Sequence, residues 1–161
     1  MFTATSPDQM PDLETTLSMS GLDFMLAMQA GKISRPPISA LMNYALEKVV
    51  EGEVVFRGTP EFRHSNPAGG VHGGWYGTLL DSCMSCAVMT LTPKGSVYTT
   101  LEYKVNMVGA IPLGREIRAI GTITHAGRTT GVANGEIRDV ETDKLYATGS
   151  ATCLIMKLRD D

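Results

Sequence analysis

The sequence predicts an α+β fold in which a curved antiparallel β-sheet wraps around one long central α-helix. An apolar segment at residues 75–91 is long enough for a helix, and apolar residues cover most of its circumference. Four consecutive strand candidates follow it, at residues 96–108, 114–127, 128–140 and 144–158. Short connectors between them favour an antiparallel meander, and curling such a sheet around one helix buries both elements.

The N-terminal third differs from the rest of the chain. Residues 12–30 carry leucines and methionines at roughly helical spacing, and Gly31 is placed to end a helix. Residues 34–37, "SRPP", indicate a rigid extended connector. We therefore divide the chain into an N-terminal helical extension and linker, residues 1–37, and a main domain, residues 38–161.

The main domain begins with two predicted strands. Residues 42–59, "MNYALEKVVEGEVVFRGT", form two β-rich runs around a turn at Glu51-Gly52. In the last predicted strand of the chain, alternate residues from Leu145 to Ile155 are small or apolar, and the residues between them are polar apart from Tyr146 and Leu154. Such alternation is typical of a strand with one buried face.

Composition restricts the classes of function. The 161 residues are 43% hydrophobic and 19% charged, with a formal net charge of −3 and no basic run. A nucleic-acid or anionic-membrane partner is therefore not expected. No segment has the roughly 20 apolar residues of a membrane span, and the N-terminus lacks a signal-peptide pattern, so we expect a cytoplasmic protein.

A glycine-rich loop, residues 66–75 or "NPAGGVHGGW", precedes the central helix. Gly73 and Gly74 allow a ligand to approach unpaired N–H groups at the helix start, where the helix dipole also favours negative charge. Asp81 lies inside the same helix, and a buried carboxylate is costly unless it is paired or protonated. A solvated Asp81, or one bonded to Ser82 or Thr78, is the alternative interpretation.

Other candidate chemistries have weak support. Cys83 and Cys86 form a C-x-x-C pair inside the helix, with no second pair, and we expect small core residues rather than a redox or zinc site. His64, at a predicted strand end, and His125, in a predicted hairpin turn, lack the spacing of metal ligands. No metal is expected, and the sequence has no G-x-S-x-G nucleophile motif.

The pattern N-P-x-G-x-V-H-G-G, followed by L-L-D-S and the predicted meander, resembles the PaaI-like acyl-CoA thioesterases of the hotdog-fold superfamily. The similarity extends over roughly residues 38–157. It implies a hotdog fold and hydrolysis of an acyl-CoA thioester to a free carboxylic acid and CoA. It also implies a homodimer that commonly assembles into a tetramer, with sites at the subunit interface. No cofactor is expected, because CoA is part of the substrate.

The resemblance assigns catalytic roles to five residues. Asn66 and His72 match polar residues of the loop that organise the site and steady the attacking water or the thioester. The backbone N–H of Gly73 matches the group that polarises the thioester carbonyl. Asp81 matches the acid that serves the partner subunit's substrate as general base or nucleophile. Thr99 matches a hydroxyl that helps hold the nucleophilic water.

Substrate contacts are expected from four further residues. Gly74 and Trp75 follow the polarising amide at the helix start and are candidates for the pocket wall. Arg128 and Thr129 lie in a turn where relatives often touch the CoA phosphates or pantetheine.

Two other classes of function stay open from the sequence. A hotdog-fold hydratase or dehydratase acts on acyl thioesters without cleaving them, but pairs a histidine with an acid in another motif context. A non-catalytic acyl-CoA-binding module is the second alternative. An acid inside the helix argues against a mere binder, which gains nothing from burying a carboxylate.

Overall fold

The computed structural model describes residues 2–158 and shows a six-stranded antiparallel sheet with one long helix packed against it. The strands lie in the order β1-β2-β4-β5-β6-β3. The helices are α1 (Leu13–Leu17), α2 (Gly21–Gln29), α3 (Pro37–Leu41) and α4 (Gly73–Met89), and the strands are β1 (Tyr44–Val50), β2 (Glu53–Gly58), β3 (Ser96–Met107), β4 (Ile117–Ala126), β5 (Thr130–Asp139) and β6 (Leu145–Lys157). The predicted α+β class and central helix are confirmed.

Helix α4 forms the centre of the core. Its fully buried side chains come from successive turns and include Leu79, Leu80, Cys83, Met84, Ala87 and Val88, each 0% exposed. Buried residues of β4, β5 and β6 lie opposite, among them Ile117, Ala133 and Ala147. Burial of these side chains supplies the main driving force for docking the helix on the sheet.

A row of three glycines lets α4 approach the sheet closely. Gly121 of β4 pairs with Gly135 of β5, which pairs in turn with Gly149 of β6. A Cβ atom on Gly121 would lie 2.1 Å from the carbonyl oxygen of Cys83, which no side chain can tolerate. A Cβ on Gly135 would lie 2.8 Å from the Met84 side chain. The helix therefore lies closer to these strands than any larger residue would permit.

The predicted four-strand meander is wrong in one respect. Strands β4, β5 and β6 do follow one another across the sheet, but β3 pairs with β6 at the far edge rather than with β4. The connector at residues 108–116 therefore crosses from that edge back to β4. Its Ile111 is buried, and the Ile111 amide donates to the Tyr76 hydroxyl at 2.9 Å, which fixes the crossing against α4.

The N-terminal extension is more broken than predicted. The expected helix over residues 12–30 divides into α1 and α2, because Ser20 caps a new helix by accepting from the Asp23 amide at 3.1 Å. Gly31, with φ of +76°, follows α2 as expected. Residues 34–36 are extended, but Pro37 begins the short helix α3, which was not predicted. The predicted domain boundary at residues 37 and 38 falls inside α3.

Residue 1, at the start of the predicted N-terminal extension, and residues 159–161, at the end of the predicted main domain, lie outside the described range. Within residues 2–158 no helix is both long and apolar enough to cross a bilayer. The cytoplasmic location stays a prediction.

Candidate active site

The glycine-rich loop is organised by Asn66. Its side-chain Oδ1 accepts from the amides of Ala68 at 3.0 Å and Gly70 at 3.2 Å. The backbone of Asn66 also exchanges bonds with the loop, donating to the Gly70 carbonyl at 2.8 Å and accepting from Gly69 at 2.9 Å. Gly69 has φ of +83°, a conformation that favours glycine. Asn66 thus holds the loop closed, and its amide Nδ2 stays available to donate.

His72 is the N-cap of α4. Its Nδ1 accepts from the Gly74 amide at 2.9 Å, so in the neutral ring the proton must lie on Nε2. The exposed side chain can therefore donate through Nε2, and its accepting nitrogen is already occupied. This geometry supports a role as hydrogen-bond donor and disfavours His72 as the general base.

The amide of Gly73 is the first of α4 and points out of the helix. No acceptor bonds it within residues 2–158, whereas the next two amides are bonded to His72. Met107 lies against this position, since a Cβ on Gly73 would be 3.3 Å from its Sδ and Cε. A free amide at the positive end of a seventeen-residue helix is suited to an oxygen that gains negative charge.

Asp81 lies two turns further along α4 and is half-buried. Partial burial raises the pKa of its carboxyl group, and a hydrogen bond from the Thr100 hydroxyl to Oδ1, at 3.0 Å, acts in the opposite direction. No cation is among the groups that perturb this pKa in the described chain. A carboxylate that is partly desolvated and not paired with a cation is more basic than an ordinary Asp, as a general base requires.

The hydroxyl beside Asp81 belongs to Thr100 and not to Thr99. The predicted Thr99 is exposed, whereas Thr100 is half-buried and faces α4. Neighbouring residues of a strand point to opposite faces, so a shift of one residue changes which threonine meets the helix. The role of Thr99 in holding the nucleophilic water stays a prediction, and the contact of Thr100 with Asp81 was not predicted.

Two hydroxyl groups that bond to each other near Asp81 were also not predicted. The hydroxyl of Tyr44, on β1, lies 2.8 Å from Ser82 Oγ, and burial raises the pKa of Tyr44 to about 12. Tyr44 therefore stays protonated at neutral pH. No signal in the sequence links these residues, which are 38 positions apart.

Gly73 and Asp81 of the same chain cannot act on one carbonyl carbon. They are eight residues apart on α4, and a rise of about 1.5 Å per residue separates them by about 12 Å along the axis. Reacting groups must lie within about 3–3.5 Å of their target. A site that uses both groups therefore takes one from each of two subunits.

Gly74 and Trp75, which were predicted to contact the substrate, make hydrogen bonds within the chain instead. The Gly74 amide is bonded to His72, as described above. Trp75 is 1% exposed and donates its indole N–H to the Met42 carbonyl at 2.9 Å. Trp75 is therefore mainly a core residue, although it forms the inner wall of a surface hollow beside His72 and Thr78.

Arg128 and Thr129 lie in the turn between β4 and β5, and both are exposed. Within one chain this turn is near the end of α4, since a Cβ on Gly131 would contact Val88. Val88 lies fifteen residues beyond Gly73, or roughly 22 Å along the helix. Contacts of this turn with a ligand at Gly73 would thus require another subunit.

The other candidate chemistries remain unsupported in the described chain. Burial raises the pKa of the thiols of Cys83, Cys86 and Cys153, for Cys86 to about 12, which disfavours reactive thiolates. His64 is in a short 3-10 turn rather than at a strand end, and both of its ring nitrogens are bonded, to the Glu61 amide and the Leu41 carbonyl. His125 belongs to β4 rather than to a turn. Among residues 2–158 no three His, Cys, Asp or Glu side chains are grouped as metal ligands.

The chain is similar to known thioesterases. The sequence pattern of the thioesterase superfamily matches residues 68–146, a range that contains Gly73, Asp81 and Thr100. Mouse acyl-coenzyme A thioesterase 13 is 30% identical over 92 residues, which are 57% of this chain and 65% of the mouse protein. The aligned part of the chain thus spans less than two thirds of the length of that relative.

Two solved structures show the same fold. A hypothetical thioesterase protein of Streptococcus pneumoniae, solved with coenzyme A, is 29% identical, with a TM-score of 0.65 over 73% of this chain and 92% of that one. A variant of the phenylacetic acid degradation protein PaaI from Thermus thermophilus is 22% identical, with a TM-score of 0.67 over 73% of this chain and 97% of that one. The predicted hotdog fold is confirmed, and the match over residues 68–146 supports the predicted family.

Proposed function

We propose that the chain is a member of the thioesterase superfamily and hydrolyses acyl-CoA to a carboxylic acid and CoA at sites shared between two subunits. The observation that carries the proposal is the pair of groups on α4. An unbonded amide at Gly73 and a half-buried carboxylate at Asp81 are the two groups that thioester hydrolysis requires.

The spacing of these groups supports a shared site. Gly73 and Asp81 are about 12 Å apart within one chain. The two groups can meet at one substrate if the α4 helices of two subunits lie side by side, so that Gly73 of one subunit faces Asp81 of the other. Each dimer would then contain two equivalent sites. Further pairing of dimers into a tetramer is part of the proposal.

The edge strand β3 offers a surface for this dimer. It has a neighbour on one side only and carries exposed apolar side chains, namely Leu101 at 58%, Tyr103 at 46% and Met107 at 57% exposure. A long unpaired edge with exposed apolar residues favours association with another chain. The same strand holds Thr100 against Asp81, so pairing through β3 would bring the second subunit next to the carboxylate.

The proposed reaction uses groups that the chain already positions. The thioester carbonyl oxygen accepts from the Gly73 amide, and the Nε2–H of His72 donates to the thioester or to the attacking water. Asp81 of the other subunit takes a proton from water, whose oxygen bonds to the carbonyl carbon. The C–S bond then breaks, and the departing CoA thiolate receives the proton. Thr100 holds the Asp81 carboxylate in place. Nucleophilic attack by Asp81 itself is the variant of this scheme that the geometry leaves equally open.

Recognition of the CoA moiety is proposed for the turn at Arg128 and Thr129. Both side chains are exposed, and the guanidinium of Arg128 is suited to phosphate. The coenzyme A in the related Streptococcus pneumoniae structure supports CoA as the carrier of the acyl group. Because the turn is far from Gly73 of its own chain, the phosphates would reach it from a neighbouring subunit's site.

Replacement of Asp81 by Ala tests the proposal. We expect kcat for release of free thiol from an acyl-CoA panel to fall about 10²–10⁴-fold, with an unchanged circular dichroism spectrum. Turnover near the wild-type value in a folded Asp81→Ala protein would remove Asp81 from the mechanism. Enoyl absorbance without thiol release would indicate a hydratase, and saturable binding without either would indicate a binding module.

A further inference from the structure

A partly open, largely apolar cavity of about 240 Å³ lies between the N-terminal extension, α4 and strands β1, β2 and β3. The extension contributes Phe24, Met25 and Met28 of α2, while α4 contributes Ser82, Cys86 and Met89. Clefts lined mainly by apolar side chains with few polar groups are the usual form of small-molecule sites in proteins. An apolar space of this size therefore suits a small hydrophobic ligand.

The walls identify the chemistry of the occupant. Each serine or tyrosine hydroxyl on the wall already has a partner: Ser34 bonds the Gln9 carbonyl, Ser39 bonds the Pro36 carbonyl, and Tyr44 bonds Ser82, each at 2.8 Å. Tyr98 interacts with Ser85 and Cys86. Arg35, at the margin, donates to Thr3. With its hydroxyl groups paired internally and Arg35 the one charged side chain among the described lining residues, the wall favours a hydrocarbon over a polar ligand.

The position of the cavity connects it to the proposed site. Ser82, which lines it, directly follows Asp81 in the helix. Cys86 and Met89 continue the wall one and two turns further, so this side extends about 10 Å along α4. A hydrocarbon that starts near the carboxylate can therefore lie along the helix beneath the extension.

We propose that this cavity receives the acyl group and selects unbranched acyl chains of medium length. The inference rests on the proposed function, since it extends the substrate from the Asp81 carboxylate into the cavity. Four methionines, Met10, Met25, Met28 and Met89, line it, and their flexible side chains adapt to a linear chain. The N-terminal extension then acts as the specificity element, because it forms the wall opposite α4.

Two variants of α2 test the assignment. Met28→Trp fills the cavity, whereas Leu26→Trp adds the same bulk to an exposed position of the same helix, 42% exposed and outside the wall. For Met28→Trp we expect kcat/KM with octanoyl-CoA to fall at least tenfold relative to acetyl-CoA. Leu26→Trp should keep the wild-type ratio. Met28→Ala, which enlarges the space, should shift preference from octanoyl-CoA towards dodecanoyl-CoA.

Binding of S-octyl-CoA, a thioether that cannot be hydrolysed, gives a readout independent of activity. Wild type should bind it at least tenfold more tightly than CoA, and Met28→Trp should lose this difference. Equal chain-length ratios in wild type and a folded Met28→Trp protein, together with an unchanged S-octyl-CoA affinity, would overturn the cavity assignment and leave hydrolysis standing. Tight, Met28-dependent binding of S-octyl-CoA without any thiol release would support the cavity and refute the proposed hydrolysis.

Discussion

Replacement of Gly73 by Pro removes the amide hydrogen that the proposed mechanism needs while keeping the helix. Proline is favoured at the first position of a helix, because its missing N–H has no helical acceptor there. The preceding residue must be extended, and His72 already has φ of −65° and ψ of 138°. The crowding expected from a new Cβ involves only the flexible end of Met107, at 3.3 Å.

The magnitude follows from the role assigned to this amide. Removal of one donor to a developing oxyanion costs about 10²–10³-fold in kcat, or roughly 3–4 kcal/mol. Gly73→Ala is the matched control, because it adds the same Cβ beside Met107 but retains the N–H. We expect Gly73→Ala to stay within about tenfold of the wild type, so the difference between the two variants isolates the hydrogen bond.

The assay is continuous release of CoA thiol from octanoyl-CoA, coupled to a chromogenic disulfide. The melting temperature of each variant shows that the fold is intact. A folded Gly73→Pro protein whose kcat lies within a few-fold of Gly73→Ala would refute the assignment of this amide to the thioester carbonyl. The carbonyl would then have to be polarised by another group.

Three further predictions concern the carboxylate, the assembly and the fold. Thr100→Val removes the hydrogen bond that lowers the pKa of Asp81, so the acidic limb of the pH profile of kcat/KM should move to higher pH. Thr99→Val should leave the acidic limb in place. Equal shifts in the two variants would contradict the contact with Thr100. Asp81→Ala subunits mixed with an equal amount of Gly73→Pro subunits, and allowed to reassociate, should recover about a quarter of wild-type activity. Half of the dimers are then mixed, and each mixed dimer has one intact site out of two. No recovery would place the whole site within one chain. Gly121→Ala should lower the free energy of unfolding in urea by about 3 kcal/mol or more, because its Cβ meets the backbone of α4. Gly70→Ala is the control, since the atom nearest to its Cβ is 3.7 Å away. An equal loss of stability in the two variants would show that the helix can move.

The features that the sequence predicted best depend on residues that lie close together in the chain. The apolar run that became α4 (Gly73–Met89) is recognisable because its burial on all sides leaves few polar positions, and a buried acid at position 81 stands out against it. The glycines before it are equally local, since the loop they form closes within five residues of Asn66. Strand segments were found in the same way, by alternation of buried and exposed residues.

Pairings between distant segments were less predictable. Alternation shows that a segment is a strand but not which neighbour it joins, and β3 joined β6 instead of β4. A one-residue shift along β3 also reverses the faces, and the alternation alone did not show that Thr100 would contact Asp81. The partnership of Tyr44 with Ser82 joins residues 38 positions apart, and no local pattern encodes it.

By itself, the sequence determined the class of fold and the central helix with its glycine-rich entry. These depend on residue type and on neighbours within a few positions, because capping, backbone freedom and hydrophobic periodicity are local properties. The roles proposed for Asp81 and the Gly73 amide came from the resemblance to hotdog-fold thioesterases. Tertiary structure alone decided which threonine reaches Asp81, that three aligned glycines allow the helix to pack closely on the sheet, and that the extension lines an apolar cavity. Those features arise from contacts between segments far apart in the chain, whose pairing is selected by the packing of the whole domain.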